Sequence, residues 1–368
     1  MKFVTLFPET KNVHLLKDIG MIPCMLHRLY GYDAYVAAYG DKDGYPYLAD
    51  GAAGLQIEYM ERRYRSRILN GLRYIRKHAK EIDVLNVYHL NLSSFFWIPM
   101  YHLKKKKDGR VYLKLDMSYA GLTTCLKAGP VGFVKRMTIK MADIVSVETT
   151  LLQIELKKHF GEKIIYLPNG YALPKKPEQT VYQKEKTILT AGNLGTVEKA
   201  TDTLLEGFAK SSSRHDWKLK LIGTVAEEFK PYIEQFYQNY PELKERVEFT
   251  GPITDKQMLA EEYRKAAVFT LPSRQESFGF VLVEAISCGC YTATADRVPA
   301  GHDVSACGKY GTEFVTDDAA SLAEVFAALC TKERDWNGQA IEIEQYAKTH
   351  FVWDIILKDL RESFERSK

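Results

Sequence analysis

The sequence predicts an α/β protein made of two doubly wound parallel-sheet domains in series. Three observations carry that expectation. Short β-rich runs alternate with stretches of helical period along most of the chain. A turn-and-proline segment interrupts the alternation near the middle, after which it restarts. The 368 residues also exceed what one hydrophobic core usually covers.

In the first half, strands are predicted at 2–7, 33–39, 55–59, 83–88, 111–116, 143–148 and 163–167, with helical period over 64–80 and 149–160. Alternation of this kind places helices on both faces of a parallel sheet. Pro168-Asn169-Gly170-Tyr171 then breaks the pattern, and Pro174-Lys175-Lys176-Pro177 follows in a polar stretch that reads as a linker. Beyond it, strands are predicted at 187–191, 218–222, 247–249, 268–271 and 291–295, and Phe351 to Arg366 reads as a closing amphipathic helix. The expected domains are therefore 1–170 and 171–350, with a cleft between them and the terminal helix, about 351–368, packing back on the first.

Apolar residues make up 46% and charged residues 27% of the chain, which places it among ordered globular proteins. No apolar run is long enough to span a bilayer, and the N-terminus runs into Pro8-Glu9 without a small-residue cleavage site, as a strand would. The six cysteines are scattered, the closest pair being Cys288-Gly-Cys290, so neither a disulfide framework nor a zinc site is expected and a cytoplasmic location is. Charge is uneven: residues 1–170 hold 26 Lys and Arg against 16 Asp and Glu, and the remainder 25 against 31. Much of the excess lies in Arg62-Arg63-Tyr64-Arg65-Ser66-Arg67 and in Lys104 to Lys107. Such runs suit peripheral contact with an anionic membrane, at its inner face, or a phosphate-bearing acceptor; they equally suit a solvated helix face. No nucleic-acid partner is expected.

The most informative segment runs from Leu271-Pro-Ser-Arg274 through Glu276-Ser277-Phe278-Gly279 to Glu284. A β-run ends at Pro272, a loop carries Glu276, and a helix begins near Gly279, so the loop falls at the carboxyl end of a strand, where open α/β sheets bind ligands. Amides at a helix start favour an anion, and a glycine there lets a diphosphate approach. The second segment, Gly192-Asn193-Leu-Gly195 with Lys199 four residues on, follows another strand. Its glycines are expected to present amides to phosphate, and its lysine to neutralise leaving-group charge.

Glu276-x(7)-Glu284 after Pro272-Ser273, with Phe278-Gly279 inside it, resembles the donor signature of retaining GT-B glycosyltransferases, specifically glycosyltransferase family 4 (group 1). The resemblance covers roughly residues 160–330 and implies two Rossmann-like domains facing across a cleft. It implies that Glu276 contacts the hydroxyls of the transferred sugar and Glu284 the ribose. The amides of Ser277, Phe278 and Gly279 would face sugar and diphosphate, and Lys199 would hold the diphosphate. Asn193 stands where the family usually has arginine, so the resemblance implies that Arg274 or another base compensates, or that turnover is slower. The implied reaction moves a sugar from a nucleotide sugar, a UDP-sugar above all, to a glycan, glycolipid or other hydroxyl acceptor, with no metal and no covalently bound cofactor. A role in polysaccharide or cell-envelope glycan synthesis follows from the same resemblance.

The first domain resembles the family in layout more than in motif. Its glycine pair after the first strand is absent, leaving His14, Lys17, Asp18 and Gly20 as candidates in 8–21. The histidine usual after a middle strand is also missing, with Leu115 or Asp116 in its place and His89 the nearest alternative. Asp41-Lys42-Asp43 spells a metal-binding Asp-x-Asp but sits in a glycine- and proline-rich turn, so it is set aside. Two other readings stand beside transfer: a nucleotide-sugar-binding protein with weakened chemistry, and a GT-B-fold epimerase, which would need clustered carboxylates and histidines.

Overall fold

The computed structural model describes residues 1–49, 51–171 and 182–365. The linker expected at Pro174-Lys175-Lys176-Pro177 lies outside the described residues. The chain forms two compact units, Met1–Gly170 joined by the segment from Trp353 onward, and Tyr171–Val352.

In the first unit strands alternate with helices along most of the chain. Strand β1 (Lys2–Leu6) leads to helix α1 (Asp18–Tyr30), β2 (Asp33–Ala38), β3 (Gln56–Tyr59), α2 (Arg67–His78), β4 (Val84–Tyr88) and α3 (Leu92–Lys104). Then come β5 (Arg110–Lys114), α4 (Tyr119–Leu126), α5 (Pro130–Met141), β6 (Ile144–Val147), α6 (Thr150–Phe160) and β7 (Ile164–Tyr166). All seven strands are parallel, in the order β3-β2-β1-β4-β5-β6-β7. The central strands are buried on both faces, which is why Val84-Leu-Asn-Val-Tyr88 reads as an almost unbroken apolar run. Its one polar member, Asn86, donates from Nδ2 to the Thr5 hydroxyl of β1 at 3.2 Å, while its Oδ1 is buried with no partner among the described residues.

The second unit repeats the plan with β8 (Glu185–Ala191), α7 (Thr201–Ser211), β9 (Lys218–Ile222), α8 (Lys230–Asn239), β10 (Val247–Gly251), α9 (Lys256–Lys265) and β11 (Ala266–Leu271). It continues through α10 (Phe280–Ser287), β12 (Tyr291–Ala295), α11 (Gly301–Val304), β13 (Gly311–Phe314), α12 (Ala319–Thr331) and α13 (Trp336–His350). Its six strands are parallel, ordered β10-β9-β8-β11-β12-β13. Val268 of β11 pairs with Ile188 of β8 on one side and Tyr291 of β12 on the other. Acidic caps start the helices cleanly: Asp255 accepts from Gln257 and Met258 N–H, and Asp318 from Ala320 and Ser321. Strand β13 was not anticipated from the sequence.

The chain returns to the first unit as α14 (Trp353–Glu365). Trp353, Ile356, Leu357, Leu360 and Phe364 form one buried stripe at helical spacing. They pack with Phe3, Met21, Tyr32 and Tyr112, the Phe364 ring lying 6.0 Å from those of Phe3 and Tyr112. In each sheet the strand order reverses once, between β1 and β4 and between β8 and β11. Those two switch points position everything below.

Candidate functional site

The second unit's switch point brings together two segments far apart in sequence. Gly192 follows β8 directly, and Pro272 follows β11, so both loops leave adjacent parallel strands at their carboxyl ends. Between them lies an open recess with about 250 Å³ of empty space, lined by Gly192, Asn193, Lys199, Thr201, Pro272 and Ser273 among others. Across it the Lys199 ammonium forms an ion pair with the Glu276 carboxylate, which also accepts from the Ser273 hydroxyl at 3.0 Å. Glu276 is mostly covered, its side chain 13% exposed against 32% for Lys199, so the pair is far less screened than a surface bridge.

Gly279, at φ +91°, occupies the left-handed region just before α10. A Cβ there would come within 2.8 Å of the Leu271 side chain, so both the turn and the packing require glycine. Among the described residues, no hydrogen bond is donated by the backbone N–H of Ser277, Phe278 or Gly279. These amides open the helix beside Glu276 and suit an anion. The Phe278 ring itself is 1% exposed and belongs to the core, so only its backbone is offered. Glu284 sits on α10, exposed, with its carboxylate accepting from the Tyr263 hydroxyl at 3.3 Å.

Two expectations need correction. The glycine amides of the first loop do not face phosphate: Gly192 N–H donates to Ile222 O at 2.9 Å and Gly195 N–H to the Thr201 hydroxyl at 2.8 Å. Gly195 is a packing glycine, since a Cβ would come within 2.4 Å of Phe229. Nor does Arg274 replace the cation lost at Asn193. Its guanidinium bonds Asp202 at 2.7 Å, Asp317 at 2.6 Å and the Val197 carbonyl at 2.7 Å, and those two carboxylates raise its pKa. Its backbone N–H also donates to Glu198 O at 2.8 Å. Arg274 thus ties down the turn that carries Lys199. Asn193 is exposed at the rim.

In the first unit, Phe7 organises the candidates. The rings of His14, Tyr88 and His89 all meet it edge-on, with centroids 5.6, 5.9 and 6.3 Å away. His14 Nδ1 accepts from Lys11 N–H at 3.0 Å; burial, then Lys17 and Lys11, lower its pKa and favour the neutral ring. His89 follows β4 and Asp116 follows β5; both have positive φ, +66° and +49°, and His89 Nδ1 lies 3.9 Å from Asp116 Oδ2. Backbone strain of this kind collects at functional sites.

Sequence reasoning missed what holds Asp116. Glu148, fully buried, accepts from the amides of Asp116 and Met117 at 2.8 and 3.1 Å and pairs with fully buried Lys114. Asp18 completes the group 4.0 Å from Lys114, and burial pushes its pKa up to about 7. Asp18 therefore reads as a member of this buried network. Lys17 is exposed as the α1 N-cap, and Gly20 is there for packing, because a Cβ would come within 2.4 Å of the Leu15 backbone. The set-aside Asp41 accepts from Asn12 N–H at 3.0 Å and so braces its turn.

Residues 185–332 match the family model described as "Glycosyl transferases group 1". Both loops of the recess, with Lys199, Glu276 and Glu284, lie inside the matched residues. Curated relatives include the phosphatidyl-myo-inositol mannosyltransferase of Mycobacterium leprae, 29% identical over 175 residues, or 46% of this chain and 45% of that one. Another is the N-acetyl-alpha-D-glucosaminyl L-malate synthase of Bacillus anthracis, 24% identical over 217 residues, 56% of this chain and 55% of that one. The chain spans about half the length of these relatives. Similar solved structures include sucrose-phosphate synthase from Thermosynechococcus elongatus, with TM-score 0.75, 16% identity and coverage of 100% and 99% of the two chains. Anabaena HepE in complex with UDP gives TM-score 0.75 and 15% identity, with both chains covered completely. At such identities the likeness concerns the fold, which is GT-B: two Rossmann-like parallel-sheet domains.

Proposed function

We propose that the protein is a retaining glycosyltransferase that moves a sugar from a UDP-sugar to a hydroxyl acceptor. One observation carries the reading: an ammonium and a carboxylate meet at the carboxyl ends of β8 and β11, beside three amides from which no group among the described residues accepts. That set suits a diphosphate bearing a sugar. The relatives support transferase chemistry, and HepE was crystallised with UDP and with UDP-glucose.

In the absence of donor, Lys199 and Glu276 neutralise each other. When the donor enters, the ammonium turns to the diphosphate, and Glu276 is released to accept hydrogen bonds from the sugar hydroxyls. The acceptor oxygen then bonds to the anomeric carbon on the face the diphosphate leaves. The anomeric C–O bond breaks, its electron pair stays on the diphosphate, and a diphosphate oxygen takes the acceptor's proton. Lys199 and the amides at 277–279 offset the charge that develops, so no metal is required in this scheme. In this reading Glu284 contacts the ribose. Glycan or glycolipid acceptors of cell-envelope synthesis fit the basic first unit, as does peripheral membrane contact; no helix among the described residues is long and apolar enough to cross a membrane.

Glu276→Ala is expected to abolish transfer while nucleotide binding persists, and Lys199→Ala to lower kcat by about two orders of magnitude. Unchanged turnover in Glu276→Ala refutes the assignment. One observation favours a second reading, a nucleotide-sugar-binding protein with decayed chemistry: Arg274 is committed to Asp202 and Asp317, so no second cation reaches the recess from that loop. Purified protein that binds UDP yet neither transfers nor hydrolyses any donor sugar would support that second reading.

A further inference from the structure

A second recess, unrelated to the donor loops, lies in the first unit where β1 and β4 end, with about 240 Å³ of empty space. It is lined by Phe7, Tyr88, Trp97, Glu9, Asn91 and Arg67 among others. Its position is the first sheet's own switch point, where a doubly wound sheet binds ligands.

Its chemistry is mixed in an informative way. Trp97 packs hard against α2, since a Cβ on Gly71 would come within 2.3 Å of the indole, and its N–H is spent on Ile68 O at 3.0 Å. The aromatic wall is thus rigid and offers apolar surface alone. Asn91 caps α3, accepting from Ser94 N–H at 3.0 Å. The charge comes from Arg67, the first residue of α2, steadied by an Nε hydrogen bond to the Ser93 hydroxyl at 3.1 Å. That leaves the two terminal nitrogens to serve a ligand. Among the described residues the one carboxylate paired with them, on Glu9, is 3.5 Å from Nη1 and 59% exposed, a loose partner that an incoming anion can displace. Arg62, Arg63 and Arg65 are exposed just before α2, so the approach is strongly positive.

We propose that this recess binds an anionic group, phosphate or carboxylate, carried by the acceptor, with Arg67 as its bidentate partner and the Phe7–Trp97 wall against the adjoining carbon skeleton. The assignment of this ligand to an acceptor rests on the transfer reading above; the anion site itself does not. Arg67 would then set specificity, selecting acceptors that bear a negative charge near the reacting hydroxyl.

The test is anion binding followed by calorimetry, with glycerol 3-phosphate and malate as probes at low salt. Wild-type protein should bind one or both, and Arg67→Gln should weaken binding by about tenfold or more. Glu9→Gln should tighten it, because the competing carboxylate is gone, and this opposite sign cannot come from misfolding. Lys199→Ala should leave probe binding unchanged, which separates this recess from the donor loops. Which probe binds better distinguishes a phosphate from a carboxylate. Absence of binding in the wild type, retention in Arg67→Gln, or loss in Lys199→Ala each overturns the proposal. UDP binding is measured on the same samples. Loss of UDP binding with Arg67-dependent anion binding intact would defeat the transfer reading alone, and the reverse would defeat this one alone.

Discussion

Replacing Arg274 with alanine separates two roles that the sequence leaves open. If the guanidinium positions the Val197–Lys199 turn, its loss removes two ion pairs and one hydrogen bond to a backbone carbonyl. Asp202 and Asp317 are 41% and 55% exposed, so each pair is worth only about 0.2–1 kcal/mol after solvent screening. The Val197 hydrogen bond adds roughly 1 kcal/mol. The sum, about 1–3 kcal/mol, lowers Tm by roughly 2–10 °C for a unit of this size. The freed turn also lets Lys199 wander, so kcat should fall with the stability. Arg274→Lys should restore little, because a point charge cannot span two carboxylates and a carbonyl at once. Differential scanning fluorimetry and UDP titration on the same samples measure both effects. An unchanged Tm with UDP affinity weakened tenfold or more would show Arg274 to be a phosphate ligand and refute the positioning argument.

Two further outcomes test the packing around the sites. Lys114→Ala leaves the fully buried Glu148 carboxylate without its cation and should cost about 3–5 kcal/mol in urea unfolding; Lys114→Met with Glu148→Gln should recover most of it. His215 Nδ1 accepts from Trp217 N–H, and burial, then the nearby Arg246, lowers its pKa to about 4. Below pH 6.5 the unfolded chain binds a proton that the folded chain refuses, so stability should drop between pH 6.5 and 4, by up to ~3 kcal/mol. His215→Asn should flatten that slope in urea titrations.

The fold was legible because a parallel sheet writes itself as apolar runs. Strands such as Val84–Tyr88 and Ala266–Leu271 fall where the runs do. Strand β13 escaped because Gly311-Thr-Glu-Phe314 is short, lies at the sheet edge and keeps Glu313 partly exposed, leaving no run to notice. That omission mattered at the site. The chain leaves β13 straight into Asp317, whose carboxylate engages Arg274, so without the strand the arginine looked free for phosphate. The loops of the recess could be marked by motif, but not the pairing of Lys199 with Glu276, which spans 77 positions and depends on β8 and β11 being neighbours. Gly192 and Gly195 looked like phosphate-loop glycines, because only coordinates reveal that their amides already serve Ile222 and Thr201. The Lys114–Glu148 pair was hidden for a different reason. Charges inside strands read as solvent-facing unless their partner is known, and here it lies on the adjacent strand's end.

A crystal structure of the protein soaked with UDP tests the central claim most directly. The account predicts diphosphate oxygens within about 3 Å of Lys199 Nζ and of the amides at 277–279, with the Lys199–Glu276 pair opened. UDP bound away from the α10 start, or seated there while Lys199 stays on Glu276, would contradict it.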